Sequence, residues 1–200
     1  MALSSFRDGT ERNRRMQQLE VTTMESPVGP LMVGARSGRV CVVAFSSDAN
    51  AVIDRLERHV GPIEQTAGED PGGAVSALRR YFDGDLAALD ELEVDPIGTE
   101  FQRSVWAALR SVPVGETTSY GEIAVSIDSP GAVRAVGSAN GANPIVVIVP
   151  CHRVVRSDGS LGGYGGGLDR KRWLLAHEHA GDASLWSPAT LAAPSLESSG

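Results

Sequence analysis

The apolar residues of this chain change their spacing near residue 97, and this change limits the chain to a fold of two parts. Before it, the short apolar segments LEVTTM, LMVGA and RVCVVAF are separated by turns with Pro and Gly, which is typical of antiparallel strands. Two more segments, SSDANAVIDRLERHVG and AVSALRRYF, have the apolar spacing of helices. Residues 19–95 are therefore predicted to form a small α/β domain with a short antiparallel sheet.

The second part, residues 97–180, consists mostly of helical patterns. GTEFQRSVWAALRSVP has an apolar face and ends at a proline, and LDRKRWLLAHE is a final amphipathic helix. Between them, TTSYGEIAVSI and AVRAVGSANG are short helices joined by a tight Ser-Pro-Gly turn, which is the layout of a helix-turn-helix. The run IVVIV, residues 145–149, predicts a buried strand or extended segment. A mainly α domain with a helix-turn-helix follows from this pattern.

Both ends of the chain differ from these two parts. Residues 1–18 are polar without an apolar period, and residues 181–200 are rich in Ala, Ser and Pro, so we predict a flexible leader and a flexible tail. The leader lacks the apolar segment of a secretory signal peptide, and no apolar run approaches the ~18–20 residues needed to span a bilayer. We therefore expect a cytoplasmic protein without membrane contact.

Charge and cysteine content exclude further classes. The formal net charge is −7, and the acidic excess lies in residues 1–97, which argues against a general nucleic-acid coat. Residues 98–180 are nearly neutral and could still meet phosphates if their arginines share one face. The two cysteines, Cys41 and Cys151, give neither a disulfide framework nor a zinc motif. Residues 1–97 contain one cysteine, Cys41, and one histidine, His59, so we expect no zinc site of the cysteine and histidine type there and no metal site.

Cys151 has the most specific chemical context. Cys41 lies inside RVCVVAF and fits a buried apolar residue, whereas Cys151 follows an apolar run and precedes His152 and Arg153. An imidazole and a guanidinium favour the thiolate, which is the nucleophilic form. In an extended chain His152 would face away from the sulfur, so a water would have to connect them. Glu178 is a candidate to orient the imidazole, although its spacing alone fits a solvated acid at a helix end.

Around Cys151 the motif PCHRVV, preceded by RAVGSANGANP and followed by GGYGGGLDRKRWLLAHE, resembles the 6-O-alkylguanine-DNA alkyltransferase family. The similarity runs from Phe101 to Glu178 and extends weakly to ESPVGPLMVGA and RVCVVAF. It implies a ribonuclease-H-like fold for residues 19–95 and a catalytic DNA-binding domain for residues 97–180. It also implies DNA repair by direct reversal, with 6-O-alkylguanine and 4-O-alkylthymine in duplex DNA as substrates.

The resemblance further implies the catalytic roles. Cys151 would accept the alkyl group, His152 would deprotonate it through a water, Glu178 would hold His152, and Asn143 would hydrogen-bond within the active-site turn. Cys41 fits a buried apolar position, and the sequence offers no further cysteine, metal or cofactor to remove the alkyl group from the thioether. We therefore predict a protein without cofactors that acts once per molecule and is a monomer in the absence of DNA.

For DNA the resemblance implies docking in the minor groove with the target nucleotide flipped out. Tyr120 would crowd the phosphate and donate a hydrogen bond to the departing base, Arg134 would fill the vacated space, and Tyr164 and Gly165 would wall the base pocket. The remaining implied DNA or base contacts are Gly121, Ser129, Ala132, Val133 and Ser157. The small residues around Arg134 allow a close approach to a narrow groove, although a tightly packed interior helix would have them too.

Two other functions remain open at this point. A non-transferring module could bind alkylated DNA and signal to repair factors, but retention of Cys151, His152 and Glu178 disfavours it. A cysteine hydrolase using Cys151 and His152 would need an oxyanion hole, and it leaves Arg134 unexplained.

Overall fold

A computed structural model describes residues 16–179 of the chain. The N-terminal half, up to residue 97, contains strands β1 (Gln17–Met24), β2 (Leu31–Arg36), β3 (Arg39–Phe45) and β4 (Ile63–Ala67), with helix α1 (Ala49–Val60) before β4 and helix α2 (Ala74–Phe82) after it. The C-terminal half contains α3 (Glu100–Arg110), β5 (Thr118–Ser119), α4 (Tyr120–Ser126), α5 (Val133–Gly141), β6 (Val154–Val155) and α6 (Leu168–Glu178).

The N-terminal sheet has the strand order β3-β2-β1-β4. Its first three strands are antiparallel, as predicted, but β4 pairs parallel to β1, so the sheet is mixed. β4 is a polar edge strand with four of its five residues exposed, and it therefore lacks the apolar alternation that marks a strand in the sequence. The short two-stranded pairing of β5 with β6 is also parallel.

The predicted leader is too long by at least two residues. Gln17 and Gln18 belong to β1, where they pair with Ile63 and Glu64 of β4. Local polarity hid this strand start, because its pairing partner lies far along the chain. The remainder of the predicted leader, residues 1–15, and the predicted tail, residues 181–200, lie outside the described residues.

Both faces of the sheet are covered. On one face α1 packs its buried residues Val52, Ile53 and Leu56 against Cys41 and neighbouring side chains. Burial raises the pKa of the Cys41 thiol to about 12, which fits its predicted place in the core. The opposite face packs on α2 and on the C-terminal half, and this second core is continuous between the two halves of the chain.

Two helices of the C-terminal half, α3 and α4, begin at caps that the sequence encodes. Thr99 and Gln102 form a reciprocal capping box at the start of α3, and Ser119 and Glu122 form another at the start of α4. α4 and α5 are joined by a short turn, which confirms the predicted helix-turn-helix. Within residues 16–179, no helix has the length and apolar character needed to cross a membrane.

The prediction of a buried strand or extended segment for IVVIV is wrong, because residues 146–148 form a turn. Only one bridge forms, with the Pro144 carbonyl accepting from the Val43 amide at 2.9 Å and the Val146 amide donating to the Val43 carbonyl at 2.9 Å. The chain then turns, and Val147 takes a φ of 72° in the left-handed region. This conformation costs a β-branched residue about 1–3 kcal/mol, so other contacts must hold the turn.

Candidate active site

Asn143 supplies those contacts. Its side-chain Nδ2 donates to the Val149 carbonyl at 2.8 Å, and its Oδ1 accepts from the Ile145 amide at 2.9 Å. Nδ2 also lies 3.1 Å from Cys151 Sγ. One buried amide thus closes the strained turn and fixes the position of the sulfur that follows it.

Cys151 is the first residue of a short 3-10 turn, Cys151–Arg153, and its side chain is buried. It lines a cavity of about 240 Å³ between β3, α1, α5 and the glycine-rich loop, residues 162–167. Burial raises the pKa of the thiol to about 11, although the hydrogen bond from Asn143 acts in the opposite direction. The thiol is therefore protonated at neutral pH in the DNA-free protein, and a base is needed to activate it.

That finding corrects the expectation that His152 and Arg153 directly favour the thiolate. The Arg153 guanidinium turns away from the sulfur and binds Glu178 through two hydrogen bonds of 2.8 Å each. It also donates to the Val112 carbonyl at 2.6 Å. Arg153 therefore acts on Cys151 only through the carboxylate and histidine behind it.

His152 directly follows Cys151 in the chain, and its imidazole contacts this carboxylate. Its Nε2 is 3.0 Å from Glu178 Oε1, and both side chains are fully buried. Burial lowers the pKa of His152 more strongly than Glu178 raises it, so the imidazole is neutral at pH 7. Because the carboxylate accepts the hydrogen on Nε2, Nδ1 carries the lone pair, and it is buried without a partner among residues 16–179.

Glu178, which spacing alone placed in solvent, is buried at the end of α6. Burial by itself would raise the pKa of its carboxyl, but hydrogen bonds from Arg153 and His152 hold the pKa well below its usual range. Tyr81 of α2 adds a third donor, with Oη 2.8 Å from Oε1. No local sequence signal pointed to Tyr81, since the two residues are 97 positions apart.

Lys171 is a second site residue that sequence reasoning missed. Its side chain is fully buried, and Nζ donates to the Val154 carbonyl at 2.6 Å and to the Leu161 carbonyl. Burial lowers its pKa to about 8. The signal was present in the helical spacing, because Lys171 shares a face of α6 with Leu174 and Leu175.

The residues predicted to contact DNA lie in two places. Tyr164 and Gly165 line the cavity beside Cys151, and the Tyr164 hydroxyl is buried without a partner among residues 16–179. Arg134 and Val133 are exposed on α5, and Ser157 is exposed in a turn after β6. Gly121, Ser129, Ala132 and Tyr120 are partly exposed in or beside the helix-turn-helix.

Tyr120 connects these two places. It starts α4, and a Cβ added at Gly137 of α5 would lie 3.9 Å from its ring. Burial and the nearby Cys151 raise the pKa of its hydroxyl, so it remains a hydrogen-bond donor at neutral pH. Together these features define a DNA-binding type of fold with a buried, activatable cysteine beside a cavity.

Two family models match the chain in its two parts. One, described as 6-O-methylguanine DNA methyltransferase, DNA binding domain, covers residues 100–180, and the other, the ribonuclease-like domain of the same family, covers residues 19–96. The chain belongs to the 6-O-methylguanine DNA methyltransferase family. The family resemblance and the fold class predicted from the sequence are thereby confirmed.

Individual relatives agree with this assignment. The chain is 45% identical to the methylated-DNA–protein-cysteine methyltransferase of Salmonella typhimurium over 173 residues, covering 82% of this chain and 97% of the relative. It is similar to the crystal structure of Mycobacterium tuberculosis O6-methylguanine methyltransferase, with 40% identity, a TM-score of 0.64 and coverage of 81% and 93%. The M. tuberculosis OGT protein in complex with DNA has 41% identity, a TM-score of 0.65 and coverage of 87% and 97%.

Proposed function

We propose that this protein repairs alkylated DNA by direct reversal, moving the alkyl group from the 6-oxygen of guanine in duplex DNA to Cys151. The observation that carries the proposal is the position of Cys151. Its side chain lines a cavity, and the next residue in the chain, His152, forms a buried pair with Glu178. Membership of the family supports the same activity. Each molecule acts once, because the product is a thioether.

The chemistry follows from the protonation states of the site. His152 Nδ1 accepts the thiol proton through a water, and Glu178 stabilises the imidazolium that forms. The thiolate then attacks the alkyl carbon; a carbon–sulfur bond forms, and the carbon–oxygen bond breaks with its electrons going to the guanine oxygen. Tyr120 donates a hydrogen bond to the departing base, and Asn143 Nδ2 stabilises the charge on the sulfur before attack. No cofactor takes part.

The target base must leave the duplex before the sulfur can reach it. Arg134, exposed on α5, enters the vacated space, since a planar guanidinium both stacks and donates hydrogen bonds. α5 docks in the minor groove through its small residues, and Tyr164 and Gly165 wall the everted base. We include 4-O-alkylthymine as a second substrate. We also propose that the DNA-free protein is a cytoplasmic monomer, and that its two domains comprise residues 19–95 and 97–180.

Transfer is tested with a duplex that carries a radiolabelled methyl group on a guanine oxygen, followed by digestion and location of the label. We expect label on the Cys151 peptide at no more than one per chain. Unchanged lesions in tight complexes would instead indicate a binding module, and label released to solvent would indicate a hydrolase.

Two variants control this assay. Cys151→Ala should bind the duplex and accept no label, and persistent transfer would refute the assignment of the acceptor. Arg134→Ala should slow repair within a duplex more than reaction with a free alkylguanine base, which needs no flipping. Equal losses on both substrates would remove Arg134 from the flipping step.

A further inference from the structure

The buried network around the reactive cysteine extends into the N-terminal half through Tyr81. This residue lies in the last turn of α2, is fully buried, and places its hydroxyl 2.8 Å from Glu178 Oε1. The carbonyl of Tyr81 also lies 2.8 Å from His177 Nε2, and the two rings pack edge to face with centroids 5.0 Å apart. The end of α2 is therefore fixed against α6 at two consecutive residues.

Three donors converge on one carboxylate oxygen. Glu178 Oε1 lies 2.8 Å from Tyr81 Oη, 2.8 Å from Arg153 Nη2 and 3.0 Å from His152 Nε2. Tyr81 is the donor in its pair, because the carboxyl is ionised and burial keeps the phenol protonated. A hydrogen bond from Tyr81 thus withdraws negative charge from the same oxygen that His152 uses.

We propose that Tyr81 is a positioning residue for alkyl transfer, which keeps His152 neutral and ready to accept a proton by sharing Glu178 Oε1 with it. The inference rests on the proposed function, since it assumes that His152 is the base. Removing the phenol hydroxyl leaves more negative charge on Oε1, which stabilises the imidazolium and makes His152 protonated at a higher pH. The N-terminal half is then part of the reaction machinery as well as of the fold.

Other charged or titratable groups act on the same pair and are identical in the two proteins compared; Lys171, whose pKa is about 8, titrates on the alkaline side of the profile in both. Arg153 and Lys171 both disfavour a charged His152, and the Tyr164 hydroxyl feels the charge of Glu178. None of them changes when Tyr81 loses its hydroxyl, so a shift in the pH dependence of transfer reports on that hydroxyl.

The test compares wild type with Tyr81→Phe, measuring the single-turnover rate constant of methyl transfer from a labelled duplex between about pH 5 and pH 9. We expect the acidic midpoint of the profile to rise by about half to one pH unit, which is a three- to tenfold slower transfer at pH values below the wild-type midpoint. Near the alkaline plateau the rate constant should change less than about twofold. The number of methyl groups accepted per chain at the end of the reaction measures the fraction of active, folded molecules. This number should equal the wild-type value.

Phe82→Leu is the matched control. Phe82 neighbours Tyr81 on α2 and packs on Trp173 and His177 with ring centroids 5.9 and 6.4 Å apart, so its loss disturbs the same helix contact without touching Glu178. This variant should keep the wild-type midpoint. Site-specific 3-fluorotyrosine at position 81 keeps the ring and makes a stronger donor, and it should move the midpoint down.

An unchanged midpoint in Tyr81→Phe would overturn the inference, even if transfer were slower at every pH or fewer chains were active. If Tyr81→Phe does not fold, an unshifted or raised midpoint with 3-fluorotyrosine overturns it in the same way. Failure of the wild type to place any methyl on Cys151 would instead refute the proposed function, and this inference with it.

Discussion

Replacing Asn143 by Ala should destabilise the protein, because its side chain makes the hydrogen bonds that close the active-site turn. The substitution leaves the Ile145 amide without its acceptor at 2.9 Å and removes one of two donors to the Val149 carbonyl, which still accepts from the Cys151 amide at 2.8 Å. The buried unpaired amide costs about 1–3 kcal/mol and the lost hydrogen bond to Val149 about 0.5–1.5 kcal/mol, and relaxation of the strained Val147 recovers part of this cost. We therefore expect the free energy of unfolding to fall by about 2–4 kcal/mol.

Urea unfolding followed by tryptophan fluorescence, to which the buried Trp106 contributes, measures this loss. Asn140→Ala is the matched control, because Asn140 is also buried but its Oδ1 has no partner among residues 16–179. Its removal should change stability by less than about 1 kcal/mol. Equal losses in the two variants would refute the argument that hydrogen bonds from Asn143, and not mere burial, hold the turn.

Three further predictions concern the site and its loop. The pKa of Glu178 is lower in the folded state than its ordinary value of 4.5, so the ionised carboxylate stabilises the fold above pH 4.5. This stabilisation is lost as the pH falls towards the folded-state pKa. The difference in unfolding free energy between wild type and Glu178→Gln should therefore narrow when the two proteins are compared at decreasing pH below 4.5. Lys171→Met leaves two buried carbonyls without a donor and should cost about 1–3 kcal/mol in thermal unfolding, whereas an unchanged stability would contradict the bonding described. Gly166→Ala would place a Cβ closer to the Phe45 ring than van der Waals contact allows and should cost about 1–3 kcal/mol in stability. Gly165→Ala meets no atom within 4 Å and should unfold like wild type, and equal stabilities of the two variants would refute the close packing of this loop.

The sequence pattern predicted secondary structure correctly where residues close together in the sequence determine it. The segment AVSALRRYF is α2 with the predicted bounds, since its apolar spacing and the flanking glycines define both ends. The polar edge strand β4 and the turn at IVVIV were missed for the opposite reason. β4 depends on its pairing with β1, and the turn depends on the Asn143 side chain and on a backbone angle at Val147 that no hydrophobic pattern encodes.

The site divides in the same way. The PCHRVV motif located Cys151 and His152 and identified the family, and the enzyme class predicted with it is confirmed by the relatives. Glu178 was ambiguous from spacing, because its burial depends on contacts with Arg153 and Tyr81 made only after folding. The assigned roles of individual residues remain predictions, and the assays above test them.

The continuous core between the two halves has a practical consequence. Val43 hydrogen-bonds to Pro144 and Val146 at the start of the active-site turn. Phe45 and Leu78 belong to the same apolar cluster as Trp106 and Cys151. Separate expression of either half would expose an apolar surface that its partner normally covers. Genes split at the junction near residue 97 should therefore yield fragments that regain repair only when they are produced together.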